Sequence, residues 1–383
     1  MILFSVEASF GSLHLQKTHF KQLTLLVGVS GVGKTKIISF LHLVRAVGLN
    51  HAKKAPGMKW KTVFNIDGKK YLWEGKTSSD KKNQQYLEIQ SASVKDNQKN
   101  DEIFLEESIK IDGEAIVFRD HSKELFEYKG AALPKLKWSE SAITLLAEET
   151  EIAPLHQALQ NILVSDRDPT WYMEHPRLED DLLSESFVAL QSKKSVPLLV
   201  RAKALQDYFP DRFSEIVRDY IDIFPYVEDV KIVSAKEYFP QNIVGPVDLW
   251  IVVIKEKDVA EWIDGPSISD GMLRTLYFLL ELYLAPKGSI FLVDEFENNL
   301  GINCLPQLAK MIIERAGDLQ FVLTSHHPYV INNIPWTNWK LVTRSGNDIS
   351  TVDAEDVPAL QTKSTIDRFY LLINSDAYKE GVR

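Results

Sequence analysis

Eight residues constrain this chain more than any others. Gly28-Val29-Ser30-Gly31-Val32-Gly33-Lys34-Thr35 satisfies G-x-x-x-x-G-K-[ST] at every fixed position. The run from Leu23 to Gly28 is apolar and ends in glycine, the pattern of a buried strand. Beyond the loop, Ile37, Ile38, Leu41, Val44 and Val47 recur at helical spacing, so a helix is expected from Lys34 to Val47. A strand, a glycine-rich turn and a helix in that order turn backbone N–H groups inward, where the helix N-terminus adds a field that favours an anion. Gly28, Ser30, Gly31, Val32 and Gly33 would form that cradle. Lys34 would bring a point charge to the β- and γ-phosphates, and Thr35 a hydroxyl for Mg²⁺. The implied ligand is ATP with Mg²⁺.

A phosphate loop does not say which nucleotide-binding fold holds it; the C-terminal third is more specific. Ser289-Ile290-Phe291-Leu292-Val293-Asp294-Glu295 reads as a buried strand ending in two acids. Asp294 is placed to hold Mg²⁺ with Thr35, and Glu295 to orient and deprotonate an attacking water. Exposed strand ends are often acidic, so the pair alone decides nothing. Upstream, Ile268-Ser269-Asp270-Gly271-Met272 precedes a helical run with Ser269 as its expected N-cap. Downstream come Glu297-Asn298-Asn299-Leu300 and the strand Phe321-Val322-Leu323-Thr324-Ser325 ending in His326. A histidine at a strand end is usually structural. Here it completes an order of motifs: phosphate loop, Ser-Asp-Gly, acidic pair, Asn298 loop, histidine.

Between these ends the pattern changes. Asp67-Gly68 and Asp112-Gly113 each separate alternating runs, Thr62–Ile66 from Tyr71–Trp73 and Ser108–Ile111 from Ala115–Phe118, which predicts two hairpins. Polar residues 76–101 read as a loop around a short strand at Tyr86–Ile89, followed by helices at Ser139–Ala147 and Ala153–Leu163. After Ser165–Pro169 the composition shifts. Helices are expected at Asp181–Leu190, Val196–Tyr208 and Asp211–Phe224, and strands near Val230–Ser234 and Val247–Ile254. The expected architecture is α/β. Residues 1–165 and 267–383 form a split nucleotide-binding head with an antiparallel β subdomain, and 166–266 form a mainly helical insertion.

Charge and composition narrow the setting. The net charge is −9, yet between His14 and Lys82 fourteen Lys and Arg face three acids. That excess suits either a surface for nucleic acid or a solvated lysine-rich hairpin region, and no aromatic interleaving favours the former. Cys304 is the single cysteine, which excludes an internal disulfide framework. The N-terminus lacks a basic, apolar leader, and no apolar run reaches the roughly 20 residues a membrane span needs. A cytoplasmic protein is expected.

Asp294-Glu295-Phe296-Glu297-Asn298-Asn299-Leu300 with Thr324-Ser325-His326-His327-Pro328 resembles the DE-x-E-N-x-L … T-x-H-x-P pattern of a bacterial ABC-type ATPase family. That family includes the ATPase domains of OLD (overcoming lysogenization defect) proteins and stand-alone relatives in anti-phage defence. Ser139-Glu140-Ser141-Ala142-Ile143-Thr144-Leu145-Leu146 also looks like theirs. The resemblance implies a head-to-tail homodimer, open to higher homo-oligomers, with two composite ATP sites. Ser269 and Gly271 would then bind a γ-phosphate held by the other copy, the Asn298 loop would reach across the dimer, and His326 would contact the γ-phosphate. The sequence departs from the pattern at Asp270, where many relatives carry glycine, and at His327. Gln90 and Glu140 are alternative occupants of the Q-loop position. OLD proteins continue into a Toprim nuclease, whereas only 57 residues follow His326; Asp348, Asp353, Glu355 and Asp356 there lack nuclease spacing and read as a solvated loop. The leading expectation is a slow ATPase that senses or regulates a separate effector, a nuclease or toxin. The alternatives are a RecF-like ATPase binding duplex DNA and an ATP-locked scaffold. A transporter subunit is disfavoured, because Met272 stands where transporters carry glutamine.

Overall fold

The structure is a computed structural model and describes residues 1–51, 55–78, 103–165, 170, 172–174, 185–238, 249–361, 368–379 and 381. The strand expected at Tyr86–Ile89, the residue Gln90 and the 166–169 and 181–184 stretches lie outside them. The chain divides into two compact units. The first comprises Met1–Leu163, Gly288–Asp294 and Ala316–Arg383; the second comprises Val164–Lys287 and Glu295–Arg315.

The first unit is organised by one long mixed sheet. Its parallel part runs Ile290–Val293, Gln320–Thr324, Leu23–Val27, Trp339–Ser345. Every residue of the first three strands is buried, which is why they read as unbroken apolar runs. The sheet turns antiparallel at Asp348–Asp353, which pairs Trp339–Ser345, and a short parallel contact joins Asp348–Asp353 to Leu13–His19. From there the order is Ile2–Phe10, Lys59–Ile66, Lys69–Thr77, Phe104–Ile111, Glu114–Asp120, Leu125–Tyr128 and Ala131–Ala132, all antiparallel. These strands alternate buried and exposed residues, as a sheet with one wet face must. Both expected hairpins form around their Asp-Gly turns. Asp67 and Gly68 (φ 51° and 81°) and Asp112 and Gly113 (φ 50° and 93°) occupy the left-handed region that a two-residue hairpin turn requires. The helix Lys34–Gly48 packs Ile37, Ile38, Leu41 and Val44 into the core beneath the sheet.

Two local expectations need correction. Only Ala142–Leu145 of the expected Ser139–Ala147 helix is helical. The backbone before it is committed elsewhere: Ser141 N–H donates to Asn50 Oδ1 (2.8 Å) and Ala142 N–H to Glu107 Oε2 (2.9 Å). The second helix stops at Gln160, and Ile162–Val164 joins the sheet edge instead. The acidic stretch 348–356 is ordered structure and not a solvated loop: Asp348–Asp353 is a strand, and Asp353 binds the buried Lys340 ammonium at 2.8 Å.

The second unit carries helices Phe187–Ser192, Leu198–Tyr208, Pro210–Ile223, Asp270–Leu284 and Leu305–Arg315. A small antiparallel sheet accompanies them, with Leu249–Glu256 between Tyr172–Glu174 and Val227–Ser234, and Trp262–Asp264 also pairing Leu249–Glu256. Asp270–Leu284 buries 11 of its 15 residues, so it is a central core helix of this unit and not an amphipathic one. Phe278 meets Phe296 edge-on at 5.6 Å, and Tyr220 Oη donates to the Met272 carbonyl at 3.3 Å. Among the described residues no helix is long and apolar enough to cross a membrane.

Candidate functional site

The strand Leu23–Val27 ends at Gly28, and the loop then climbs to the helix at Lys34. Gly28, Gly31 and Gly33 have φ of 151°, 86° and 105°, backbone that side chains resist. Two of them also lack room for a Cβ: one on Gly28 would lie 2.7 Å from the Val342 carbonyl oxygen, and one on Gly33 2.7 Å from Ile349 Cδ1. Val32 is fully buried and pins the loop to the core. Gly33 caps the helix with no side-chain acceptor, and the first turn holds no acid. The helix N-terminus therefore keeps donors and a positive field unspent on its own side chains. Lys34 is 4% exposed; its Nζ donates to the carbonyls of Gly28 (2.7 Å) and Val29 (2.9 Å), curling back over the loop. The loop is thus a closed cradle with a buried ammonium at its mouth.

The sheet brings the acid to the same place. Val293 is in register with Leu323, and Thr324 with Leu26, so the strands carrying Asp294, Thr324 and the loop all end at one level. This is the carboxyl edge of a parallel sheet, where open α/β folds bind ligands. Thr35 Oγ1 donates to Asp294 Oδ1 at 3.2 Å, although the two residues lie 259 positions apart. Thr324 Oγ1 donates to the same oxygen at 2.5 Å. Asp294 is buried at 7% exposure. A threonine hydroxyl and one carboxylate are oxygen donors of the kind Mg²⁺ takes, with phosphate and water completing its shell. Among the described residues no group of three or more His, Cys, Asp or Glu side chains could hold a metal ion. His326 follows on the same strand end and is exposed, while His327 caps the next short helix, its Nδ1 accepting from the Tyr329 N–H at 3.2 Å.

The remaining candidates lie in the second unit. Ser269 is the N-cap of Asp270–Leu284, its Oγ accepting from the Met272 N–H at 3.3 Å, as expected from its position. Ser269 and Asp270 are exposed. A Cβ on Gly271 would stand 3.4 Å from the Asn299 carbonyl oxygen and 3.4 Å from the Gly301 nitrogen, so the Ser-Asp-Gly turn and the Asn298 loop are neighbours. That loop is a tight one. The Asn298 N–H donates to the Glu295 carbonyl at 2.8 Å, and both Glu295 (φ 49°) and Asn299 (φ 58°) are left-handed. A left-handed glutamate costs on the order of 1 kcal/mol, and such strain tends to persist where function holds it. Glu295 follows Asp294 directly, and the boundary between the two units falls between them.

Sequence reasoning missed two features. Thr324, the threonine of the T-x-H-x-P string, has a hydroxyl role toward Asp294 that the string did not assign. Glu107 and Arg119, almost wholly buried, form an ion pair inside the antiparallel sheet. Glu107 also accepts from Trp73 Nε1 and Ser141 Oγ, both at 2.8 Å, and Thr144 Oγ1 donates to the Gly48 carbonyl at 2.9 Å. The Ser139–Leu146 stretch is therefore the clasp between that sheet and the end of the phosphate-loop helix. Glu140 points away from this clasp toward Lys137, 2.6 Å from its Nζ. Within the lysine-rich stretch, Lys61 lies 3.1 Å from Glu74 and Lys21 pairs with Glu355, while Lys76 is in register with Glu106.

A buried parallel sheet, a glycine cradle at a helix N-terminus and a threonine–aspartate pair at the strand ends define a P-loop nucleotide-binding fold of the ABC head type. A solved structure of the same fold is the SmcHead bound to the C-winged helix domain of ScpA, which is 12% identical over 92% of this chain and 97% of that one, with a TM-score of 0.52. Weaker overlaps are found with the SMC head domain from Thermotoga maritima (12% identity, 92% and 99% covered, TM-score 0.43). The Smc head domain with an extended coiled coil derived from Pyrococcus furiosus overlaps similarly (15%, 91% and 95%, 0.47). At 12% identity the likeness to the SmcHead structure is one of fold. Residues 23–332 match the family model described as "AAA domain, putative AbiEii toxin, Type IV TA system", and the chain belongs to that family. No curated protein matches the sequence.

Proposed function

We propose that this chain binds and slowly hydrolyses ATP with Mg²⁺, in sites completed by a second copy arranged head to tail, and that it thereby senses or regulates a separate effector in anti-phage defence. The observation that carries the reading is the convergence of Lys34, Thr35 and Asp294 at an uncapped helix N-terminus. Backbone N–H groups from Gly28 to Gly33 cradle the β-phosphate, and Lys34 neutralises the β- and γ-oxygens. Bound Mg²⁺ supplies charge neutralisation at the β- and γ-phosphates. Thr35 and Asp294 hold it. Glu295 orients the attacking water and takes its proton, and His326 contacts the γ-phosphate. From the other copy, Ser269 and Gly271 present a helix N-terminus to that phosphate, with Asn298 beside them.

The defence setting and the OLD-type kinship draw on the motif resemblance, while the family's description, "AAA domain, putative AbiEii toxin, Type IV TA system", supports the ATPase reading. An ATP-locked scaffold is the second reading, favoured by one observation. Asp270 places a carboxylate at the first residue of the helix that would face a trans phosphate, where like charges oppose closure. A DNA-binding ATPase is the third reading; it draws on the basic excess between His14 and Lys82 alone.

The test is the native mass of the Glu295→Gln protein with and without Mg-ATP, by light scattering after size exclusion. Conversion of monomer to dimer by ATP is expected. A monomer in both conditions would remove the composite site, and a dimer without ATP would favour the standing scaffold.

A further inference from the structure

Thr324 ends a strand whose every residue is buried, and is itself 1% exposed. At such a position valine has the same shape and carries no polar atom to desolvate. A buried hydroxyl costs about 1–3 kcal/mol unless it is bonded. Here Oγ1 donates to Asp294 Oδ1 at 2.5 Å, the short distance of a charge-assisted O–H···O⁻ bond. The same Oδ1 accepts from Thr35 Oγ1 at 3.2 Å. Two hydroxyls on one carboxylate oxygen fix the rotation of the group about its Cβ–Cγ bond. They also fix the Thr35 hydrogen toward Asp294, so that the lone pairs of Thr35 Oγ1 face away from the carboxylate. The residues after Thr324 are committed to the turn. Ser325 Oγ accepts from the His327 N–H at 3.1 Å, and His327 caps the following helix.

We propose that Thr324 is a positioning residue that sets the orientation of Asp294 for the divalent cation accompanying the nucleotide. It links the strand that carries His326 to the metal carboxylate. The inference rests on the reading of Thr35 and Asp294 as cation ligands. Partners of metal-ligating groups typically govern 10–100-fold in metal affinity. The same range, about 10–100-fold, is expected here.

The experiment titrates Mn²⁺, followed by electron paramagnetic resonance, into the full chain saturated with a non-hydrolysable ATP analogue. Nucleotide binding without metal is measured in parallel. Thr324→Val is expected to weaken Mn²⁺ by about 10–100-fold with metal-free nucleotide binding unchanged, and Thr324→Ser to restore it to within about 3-fold. Should the valine variant not fold, Thr324→Ala against Thr324→Ser makes the same comparison of hydroxyl lost and kept. Wild-type Mn²⁺ affinity in Thr324→Val, beside a loss in Asp294→Asn, overturns the positioning role and leaves the nucleotide site standing. Equal loss in the serine and valine variants overturns it too, since the hydroxyl is then not what matters. Absence of nucleotide-dependent Mn²⁺ binding by the wild-type chain overturns both readings together.

Discussion

The ion pair of Glu107 and Arg119 offers a sharp test of how the antiparallel sheet is held to the phosphate-loop helix. Glu107 is 1% exposed and Arg119 0%. Burial pulls the Arg119 guanidinium below its ordinary range, and the charge and hydrogen bond of Glu107 push it back up. Phe104, Phe126 and Trp138 surround it, with ring centres 4.4, 5.4 and 5.7 Å from the guanidinium carbon. Such rings contribute about 0.5–2 kcal/mol each, too little to carry a buried cation alone. Removing one partner of a buried pair costs about 3–5 kcal/mol, because the other charge stays behind in low dielectric. Glu107→Gln keeps an oxygen for Trp73 and Ser141 but deletes the charge. Arg119→Met leaves the carboxylate with only its neutral donors. Each is expected to cost about 3–5 kcal/mol, which at about 2–4 °C per kcal/mol is a fall in Tm of roughly 6–20 °C. The double variant removes both charges and should be milder than Glu107→Gln alone. Thermal unfolding of the four proteins by circular dichroism completes the cycle. Losses that simply add in the double variant, to within about 0.5 kcal/mol, would show that the two charges do not depend on each other and would refute the reasoning.

Two further predictions concern the site and the acid limb of stability. Gly271→Ala meets only ordinary contact at 3.4 Å, and alanine favours a helix over glycine by up to about 1 kcal/mol, so the variant should fold at least as well as the wild-type chain. In the Glu295→Gln background it should nevertheless lose ATP-driven dimerisation, measured by light scattering; retained dimerisation would take Gly271 out of the trans site. His42 and His156 both have folded pKa values lowered, chiefly by burial, from the ordinary 6.5. The unfolded chain then binds more protons near and below that pH, so stability rises with pH through this window and falls as pH drops. Denaturant unfolding at pH 5.5 and 7.5 should show the loss, and His42→Leu should narrow the gap between the two; an unchanged gap would clear His42 of any part in it.

What could be read from the sequence, and what could not, follows from how each residue acts. The glycines of 28–33 and the Asp-Gly turns were legible because each acts through its own backbone: few other residues accept φ of 105° or 81° there. The buried strands were legible because parallel strands covered on both faces leave no polar position to confuse the pattern. The Ser139–Ala147 helix failed for the opposite reason. Its local propensity was overridden by acceptors 91 and 35 positions away, Asn50 and Glu107, which took the N–H groups of Ser141 and Ala142.

The same logic separates the two halves of the Asp294 site. Thr35 could be paired with Asp294 from sequence because the phosphate loop and an acid-ended strand are each locally marked, and parallel pairing through Gln320–Thr324 brings their ends level. Thr324 stood in the T-x-H-x-P string but could not be paired with Asp294, since a threonine ending an apolar run is equally a β-branched filler of the sheet. Only its 1% exposure and its bond to the one buried carboxylate at the strand ends distinguish a hydroxyl placed for chemistry from a methyl placed for packing. A strand-end threonine thus acquires meaning from the neighbouring strand and not from its own. The T-x-H-x-P string therefore marks Thr324, but which acid its hydroxyl aims is found only once the strands are side by side.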